Sequence, residues 1–366
     1  MQKSSRYIAL RNTTRVILAF FYVYLFLVGI KLLELSLKGF GIDFARSLIS
    51  VTSNSFVGLF IGVISTATIQ SSSATTSIVV GFVSSGVLTI RNAIPIIMGA
   101  NIGTTVTNII VSLAHISRRD EFSRAFPGAV VHDVFNLLSV VVFFPLEMYF
   151  HLIERLSKIF AMAFVDIGGI KFTSPLKIIV EPVSKLFLKL FHNFYLISLI
   201  FAFFLVIFSL VLLVRFIRRV SSGKLEILVD KYLFSKAIVA GILGLFLTMF
   251  VQSSSVTTSL AVPLIGAGIL TVEKVFPYTL GANVGTTFTA LLASLVTGNF
   301  LPIQAAFAHL SFNLMGIIVW YPLKIVPISI AKWLGSWVSK KRWLAISYIL
   351  FIFFIVPGLF IVIFRR

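Results

Sequence analysis

The chain has 366 residues, of which 58% are hydrophobic and 12% charged, with 38 Phe and no Cys. A soluble fold of this size cannot hide that much apolar surface. This excludes a cytosolic enzyme, a disordered chain and a disulfide scaffold, and leaves a membrane protein with many spans. Most of the formal charge of +19 lies in short loops and at the ends of apolar runs. That is the pattern of topology signals and headgroup contacts, and no nucleic-acid partner is expected.

The first stretch, MQKSSRYIALRNTTR, is basic, and the apolar run Val16 to Val28 continues through Gly29, Ile30 and Leu33. It has no small-residue cleavage site, so it reads as a first span and not as a signal peptide. Apolar segments follow near 47–69, 74–90, 93–114, 125–150, 193–214, 234–251, 256–272, 276–297, 303–322 and 343–364. Several reach the roughly 20 residues a crossing helix needs; others are shorter and broken by Gly, Ser, Thr and Asn. None alternates as a barrel strand would, so the expected class is an all-α polytopic membrane protein. The region 151–192 carries Glu154, Arg155, Lys158, Asp166, Lys171, Lys177, Glu181, Lys185 and Lys189. It reads as a loop with surface-lying amphipathic pieces, and 324–342 looks similar.

An internal repeat dominates the chain. Residues 70–107, QSSSATTSIVVGFVSSGVLTIRNAIPIIMGANIGTTVT, align without a gap to 252–289, QSSSVTTSLAVPLIGAGILTVEKVFPYTLGANVGTTFT. At this offset of 182, 19 of 38 positions are identical, which makes the sequence a tandem duplication. Further on, His132 and Asn136 match His309 and Asn313, and Pro145-Leu146 matches Pro322-Leu323. Three crossings separate the copies if the segments flanking QSSS form re-entrant hairpins, and five if they span. Either number is odd, so the copies are expected to face opposite ways, as in many secondary transporters. Arg215, Arg218, Arg219, Lys224, Lys231 and Lys236 place 215–236 on the cytoplasmic side, with the N-terminus beside it and 151–192 outside. The chain thus divides into a first repeat (1–150), an outer loop (151–192), a second, inverted repeat (193–323) and a C-terminal amphipathic segment with a last span (324–366).

Two polar belts carry the chemistry. Gln70-Ser71-Ser72-Ser73 and Gln252-Ser253-Ser254-Ser255 interrupt apolar sequence, so they must face protein or a wet cavity. Ser is a good N-cap, and a half-length helix follows each cluster. Two such helix starts would aim free N–H groups and positive dipole ends at one point, an anion site built without a buried Lys or Arg. Gly99-Ala100-Asn101-Ile102-Gly103-Thr104-Thr105 and Gly281-Ala282-Asn283-Val284-Gly285-Thr286-Thr287 form the second belt. Their paired glycines permit close approach or unwinding, and neutral Asn, Thr and carbonyl oxygens suit a bare alkali cation. Without Cys or His clusters in either copy, transition metals are not expected.

Small residues in spans are usually packing devices, and Gly58 and Gly62 are read so. Packing alone does not explain why both copies keep Gln and three Ser while their apolar neighbours change. His132 and His309 read as satisfied core histidines, with Asn136 and Asn313 on the same helix faces as a supporting shell. Asp133 is either a functional intramembrane acid or an interfacial residue beside Arg118, Arg119 or Arg124. Arg91 and Glu273, equivalent but opposite in charge, mark an interfacial turn.

At these residues the sequence resembles the type II sodium–phosphate cotransporter family, whose hallmark is a duplicated QSSS stretch, each copy followed by a GANIGTT-like stretch. The segment RRDEFSRAFPGAVVHDVFNLLSVVVFFPLE also looks like that family's segment after the first GANIGTT. The likeness covers about 50–150 and 230–325. It implies an inverted-topology fold with two re-entrant hairpins and broken transmembrane helices, and sodium-driven uptake of inorganic phosphate across the inner (plasma) membrane. Carried over residue by residue, Ser71, Ser72, Ser73, Ser253, Ser254, Ser255, Asn101 and Asn283 would bind phosphate. Gln70, Gln252, Thr76, Thr258, Thr104, Thr105, Thr286 and Thr287 would bind sodium, the coupling ion; no cofactor is implied. The alternatives are symport of another small anion, phosphate export, and an intramembrane enzyme acting on lipid phosphates. The last would need an acid or His with an Arg or metal in the pocket, and the repeated motifs hold none.

Overall fold

The computed structural model describes residues 2–50, 52, 54–164, 178–220, 233–295 and 299–364. Parts of the expected basic loops, with Asp166, Lys171, Lys177, Lys224 and Lys231, lie outside the described residues. The described residues are helical, with no strand among them. Six stretches are long and apolar enough to cross a bilayer: Phe20–Gly39, Ile90–Leu113, Arg119–Phe150, Tyr195–Leu213, Phe300–Trp320 and Trp343–Phe364.

The first helix, α1 (Gln2–Ser50), is continuous over 49 residues, far beyond the apolar run that marks its span. No Pro interrupts it. The first repeat continues with α2 (Ser55–Ile69), α3 (Ser72–Ser84), α4 (Ile90–Gly103), α5 (Val106–Leu113) and α6 (Arg119–Phe150). Two amphipathic helices follow, α7 (Leu152–Phe164) and α8 (Glu181–Leu190). The second repeat holds α9 (Tyr195–Val220), α10 (Ala237–Val251), α11 (Ser254–Gly266), α12 (Val272–Leu295) and α13 (Phe300–Trp320). An amphipathic α14 (Ile325–Val338) precedes α15 (Trp343–Leu350), which runs through a π-turn into α16 (Val356–Phe364).

Each QSSS cluster is the tip of a helical hairpin. Asn54 starts α2 by accepting the backbone N–H of Phe56 at 2.8 Å. The helix stops at Gln70, which is left-handed with φ 60°, and Ser71 then adopts an extended conformation and caps α3. In the second copy Gln252 has φ 56° and Ser253 caps α11. The arms of 15 and 13 residues are about 22 and 20 Å long, short of the roughly 30 Å hydrocarbon core. A left-handed conformation at a non-glycine residue is uncommon and strained, yet both tips keep it.

Glycines bring the hairpins against the helices behind them. A Cβ at Gly62 would lie 2.1 Å from the carbonyl oxygen of Ile96, and one at Gly99 1.9 Å from that of Leu59. The equivalent positions repeat the contact: Gly244 on Tyr278 at 2.1 Å and Gly281 on Gly241 at 1.8 Å. Close approach is thus what the paired glycines of GANIGTT and GANVGTT provide, and Gly62 is the packing residue its sequence context suggests. The second arms cross over: α3 packs on α12 and α13 of the other repeat, and α11 on α5 and α6.

Replacing Gly99 or Gly281 with Val should destabilise the protein by about 3 kcal/mol or more through overpacking. Gly81, inside α3, is different: a Cβ added there would meet no atom within 4 Å. Gly81→Ala should therefore stabilise by roughly 0.5–1 kcal/mol. Thermal unfolding in one detergent separates the two outcomes.

Candidate functional site

The two tips, 182 residues apart in the chain, open onto one cavity of about 370 Å³. Ser71, Ser73, Ala74 and Ser77 line it from the first tip, and Val251, Gln252 and Ser253 from the second. Ser71 Oγ accepts the N–H of Ala74 at 3.2 Å, and Ser253 Oγ that of Val256 at 3.4 Å. Each cap satisfies one of the four donors a helix start leaves free, so both α3 and α11 keep N–H groups and a positive dipole end at the cavity.

The rest of the wall is charged, which corrects the expectation of an anion site without a buried Lys or Arg. Lys31, Glu34, Leu35 and Lys38 of α1, Glu181 of α8 and Thr289 of α12 complete the lining. Lys31 Nζ lies 2.9 Å from Glu34 and 3.9 Å from Glu181, and its side chain is only 12% exposed. Lys185 pairs with Glu181 at 2.7 Å, and Ser184 donates to the carbonyl of Val28 at 3.2 Å. These contacts strap α8 onto α1 at the edge of the cavity.

The tips differ in one respect. Gln70 is folded behind its own tip: its Oε1 accepts from Thr107 Oγ1 at 2.7 Å and its Nε2 donates to the carbonyl of Ala67 at 2.5 Å. Gln252 instead lines the cavity, and the hydroxyl of Thr289, the equivalent of Thr107, is buried without a partner.

A second polar layer joins the two repeats crosswise. His132 Nε2 donates to Asn283 Oδ1 at 3.1 Å, and His309 Nε2 donates to Asn101 Oδ1 at 3.0 Å. An amide oxygen only accepts, so the proton of each imidazole is on Nε2. Asn136 donates to the carbonyl of Asn101 at 2.9 Å, and Asn313 to that of Asn283 at 3.2 Å. Asn283 Nδ2 also reaches Asn136 and Asn313, each at 3.0 Å. Asn101 and Asn283 therefore hold this layer and are not among the residues lining the cavity.

The remaining residues singled out in the sequence are buried around these two layers. Ser72, Ser254 and Ser255 sit at the helix starts, just inside the caps. The hydroxyls of Thr76 and Thr104 are buried without a partner. Thr286 and Thr287 donate to backbone carbonyls of their own helix. Thr258 donates to Asn108 Oδ1 at 2.8 Å, and Ser259 to the same oxygen at 3.0 Å, which ties α11 to α5. Asp133 is fully buried, 2.8 Å from Thr105 Oγ1 and bonded to the Tyr348 hydroxyl. Arg118 and Arg124 are engaged elsewhere: Arg118 pairs with Glu121, and Arg124 binds the carbonyl of Gly266. In the first repeat the helix breaks at Thr104–Thr105, beside this acid; in the second, where Leu310 replaces it, α12 is unbroken.

Glu147, His151 and Glu154 bring three ligand-type atoms within 4.8 Å of one another. Glu147 is engaged in capping α7, accepting from Ile153 N at 2.6 Å, and Glu154 takes the Arg91 guanidinium at 3.2 Å. With the Arg91 guanidinium on Glu154, the cluster is an ion-pair network. The turn residues Arg91 and Glu273 each pair with the amphipathic helix after their repeat, Arg91 with Glu154 of α7 and Glu273 with Lys332 of α14.

The family model for the Na+/Pi-cotransporter matches residues 25–174 and 205–359, taking in both tips, both glycine belts and Lys31. The chain belongs to this family. Among its relatives, "Sodium-dependent phosphate transport protein 2B" of Homo sapiens is 34% identical over 442 residues, covering 94% of this chain and 64% of that protein. "Sodium-dependent phosphate transport protein 2A" of Rattus norvegicus is 34% identical over 418 residues, covering 92% and 66%. The chain thus spans slightly less than two thirds of the length of these cotransporters. No solved structure matches it.

Sequence reasoning passed over Lys31, Glu34, Lys38, Glu181 and Asn108. The α1 residues carried a signal, because Lys31, Glu34, Leu35 and Lys38 follow the i, i+3, i+4, i+7 spacing of one helix face inside an apolar span. Asn108 carried none, since its equivalent is Ala290.

The Gln70–Thr107 bond should show in a double-mutant cycle. Gln70→Ala and Thr107→Val should couple by about 1 kcal/mol in thermal stability, while Gln252→Ala and Thr289→Val should be additive in ligand-free protein.

Proposed function

We propose that the chain is a secondary transporter coupling sodium entry to uptake of inorganic phosphate, with no covalent chemistry of its own. What carries the reading is the meeting of two serine-capped helix starts at one cavity. Family membership supports the choice of ions. In this proposal the hairpins are re-entrant, the repeats are inverted, and the protein lies in the inner (plasma) membrane.

Phosphate binds between Ser71, Ser72 and Ser73 of one tip and Ser253, Ser254 and Ser255 of the other, where free N–H groups donate to its oxygens. Asn101 and Asn283 act from behind, fixing the glycine belts on which the hairpins rest. Sodium takes the oxygens of Gln70, Gln252, Thr76, Thr258, Thr104, Thr105, Thr286 and Thr287. The unpartnered hydroxyls of Thr76 and Thr104 favour these two as first ligands, because a buried polar atom without a partner is destabilising. Bound sodium makes a phosphate dianion tolerable in a low-dielectric site, and linkage requires phosphate to tighten sodium by the same factor. Exposure then switches as one repeat moves against the other.

Lys31 is the more enclosed of the two lysines in the cavity wall, and in this scheme it faces the anion. At an effective dielectric near 20 and a separation of about 8 Å, one charge on phosphate gains roughly 2 kcal/mol from it. Lys31→Gln should therefore raise the KM for phosphate at least tenfold, whereas Glu34→Gln, which removes an opposing negative charge, should lower it. A merely structural ion pair would give a loss in both.

Purified protein in vesicles should accumulate phosphate when an inward sodium gradient is imposed, and choline should not replace sodium. Accumulation indifferent to sodium would overturn the coupling. Ser73→Leu should abolish uptake at unchanged melting temperature, and Ser253→Leu should abolish it with only the modest stability loss that removing a helix cap brings; normal uptake in both would remove the site assignment. Competition by arsenate but not dicarboxylates would fix the anion class. The absence of native cysteine also makes orientation testable. A membrane-impermeant maleimide should label Ser85→Cys and Thr271→Cys from opposite sides, and labelling of both from one side would overturn the inverted arrangement.

A further inference from the structure

The two repeats treat one equivalent surface differently. On the first, the exposed flank of α2 is covered by the chain's own last helix. Phe60 stacks on Phe360 at 4.6 Å between ring centres, and Phe56 meets Phe364 at 4.8 Å and Phe144 at 5.8 Å. By the repeat offsets, Phe56, Phe60 and Phe144 correspond to Ile238, Ile242 and Tyr321. All three line a groove of about 300 Å³ between α10, α12 and α13, whose other walls include Leu245, Pro277 and Leu314. No helix among the described residues fills it: Ile238 is 74% exposed and Ile242 50%.

The chemistry of the groove is divided by position. Its length is apolar, while one end is basic. Lys236 directly precedes Ala237, the first lining residue of α10, and is exposed. At the same end Lys324, also exposed, holds its ammonium 5.7 Å over the ring of Tyr321. α10 begins here and α13 ends here, so both lysines lie at the same end of the groove.

We propose that this groove is a binding site for one anionic phospholipid, with an acyl chain along Ile238, Ile242, Leu245 and Leu314 and the headgroup phosphate between Lys236 and Lys324. The acyl chain does for the second repeat what Phe360 and Phe364 do for the first: it fills the flank of the hairpin's outer arm and steadies α10 against α12. The two lysines give the preference for a negative headgroup, as basic residues at a membrane interface do. Their long apolar stems let the ammonium groups reach the phosphate from beside the groove. A second copy of the chain is the rival occupant, but the basic mouth offers it no matching acid on the exposed face of α16, which is apolar at Leu359, Val362 and Ile363.

The test is native mass spectrometry of the full chain titrated with phosphatidylglycerol or with phosphatidylcholine of the same acyl chains. The expected result is one phosphatidylglycerol retained at about tenfold lower lipid concentration than phosphatidylcholine. Ile242→Trp, which fills the groove from an exposed position, should remove the bound lipid while leaving the melting temperature of lipid-free protein unchanged. Lys236→Gln with Lys324→Gln should erase the headgroup preference and keep weak binding of both lipids. Equal retention by the Ile242→Trp variant, or an intact preference without the two lysines, would overturn the site. So would oxidation of an Ile238→Cys variant to a disulfide-linked dimer in the membrane, since a second copy would then occupy the groove. None of these readouts involves transport, so they stand apart from the uptake assay.

Discussion

Away from water, a helix that stops must hand its free backbone donors to something. The fold turns on that constraint. Gln70 and Gln252 each end a helix inside the protein in a left-handed conformation, and a serine restarts the next. Each restart leaves N–H groups that one side-chain oxygen cannot satisfy. Placing both restarts on one cavity brings the two local deficits together, and in the proposed function an entering anion completes them. The same step would be destabilising if either tip faced lipid.

The glycine belts set where the tips stand. Gly62 and Gly99 lock α2 to α4, and Gly244 and Gly281 lock α10 to α12, each through backbone contacts that leave no room for a methyl group. The belts are in turn joined across the molecule by the crossed His132–Asn283 and His309–Asn101 bonds. A motion that displaced one hairpin without the other would strain this layer. In the proposed transport cycle, a change of exposure would therefore move whole units, with the crossed layer as the joint between them.

The tips, the belts and the duplication were legible in the sequence because each is a short polar run against an apolar background, written twice. The histidines were legible as helix-face partners of Asn136 and Asn313. Their true acceptors were not, because the amide of the opposite repeat lies 151 or 208 residues away and only packing brings it near. The charged wall was hidden for a different reason. Lys31, Glu34 and Lys38 lie in a segment whose mean hydropathy marks it as a span, and averaging over a window erases a one-sided stripe. The break after Gly103 was unreadable from the repeat itself, since GANIGTT and GANVGTT are nearly identical; it falls where Asp133 meets Thr105, and the other copy has a leucine in place of that acid.

The two halves are alike in sequence but not in state, and this bears on how such a molecule works. In the first, Gln70 is bound to Thr107 and turned away from the cavity; in the second, Gln252 faces it and Thr289 waits without a partner. The tips share residue types and backbone conformation, while the helix behind them is broken in the first half and continuous in the second. Each tip therefore has a structural precedent in the other. In the proposed transport, a pair of equivalent units that can each hold either arrangement would suit exchange between two faces of a membrane. Neither arrangement has to be strained for the other to be reached. The charged wall of Lys31, Glu34 and Lys38 comes from a helix outside both hairpins, so in the proposed cycle it would stay in place while the tips trade roles.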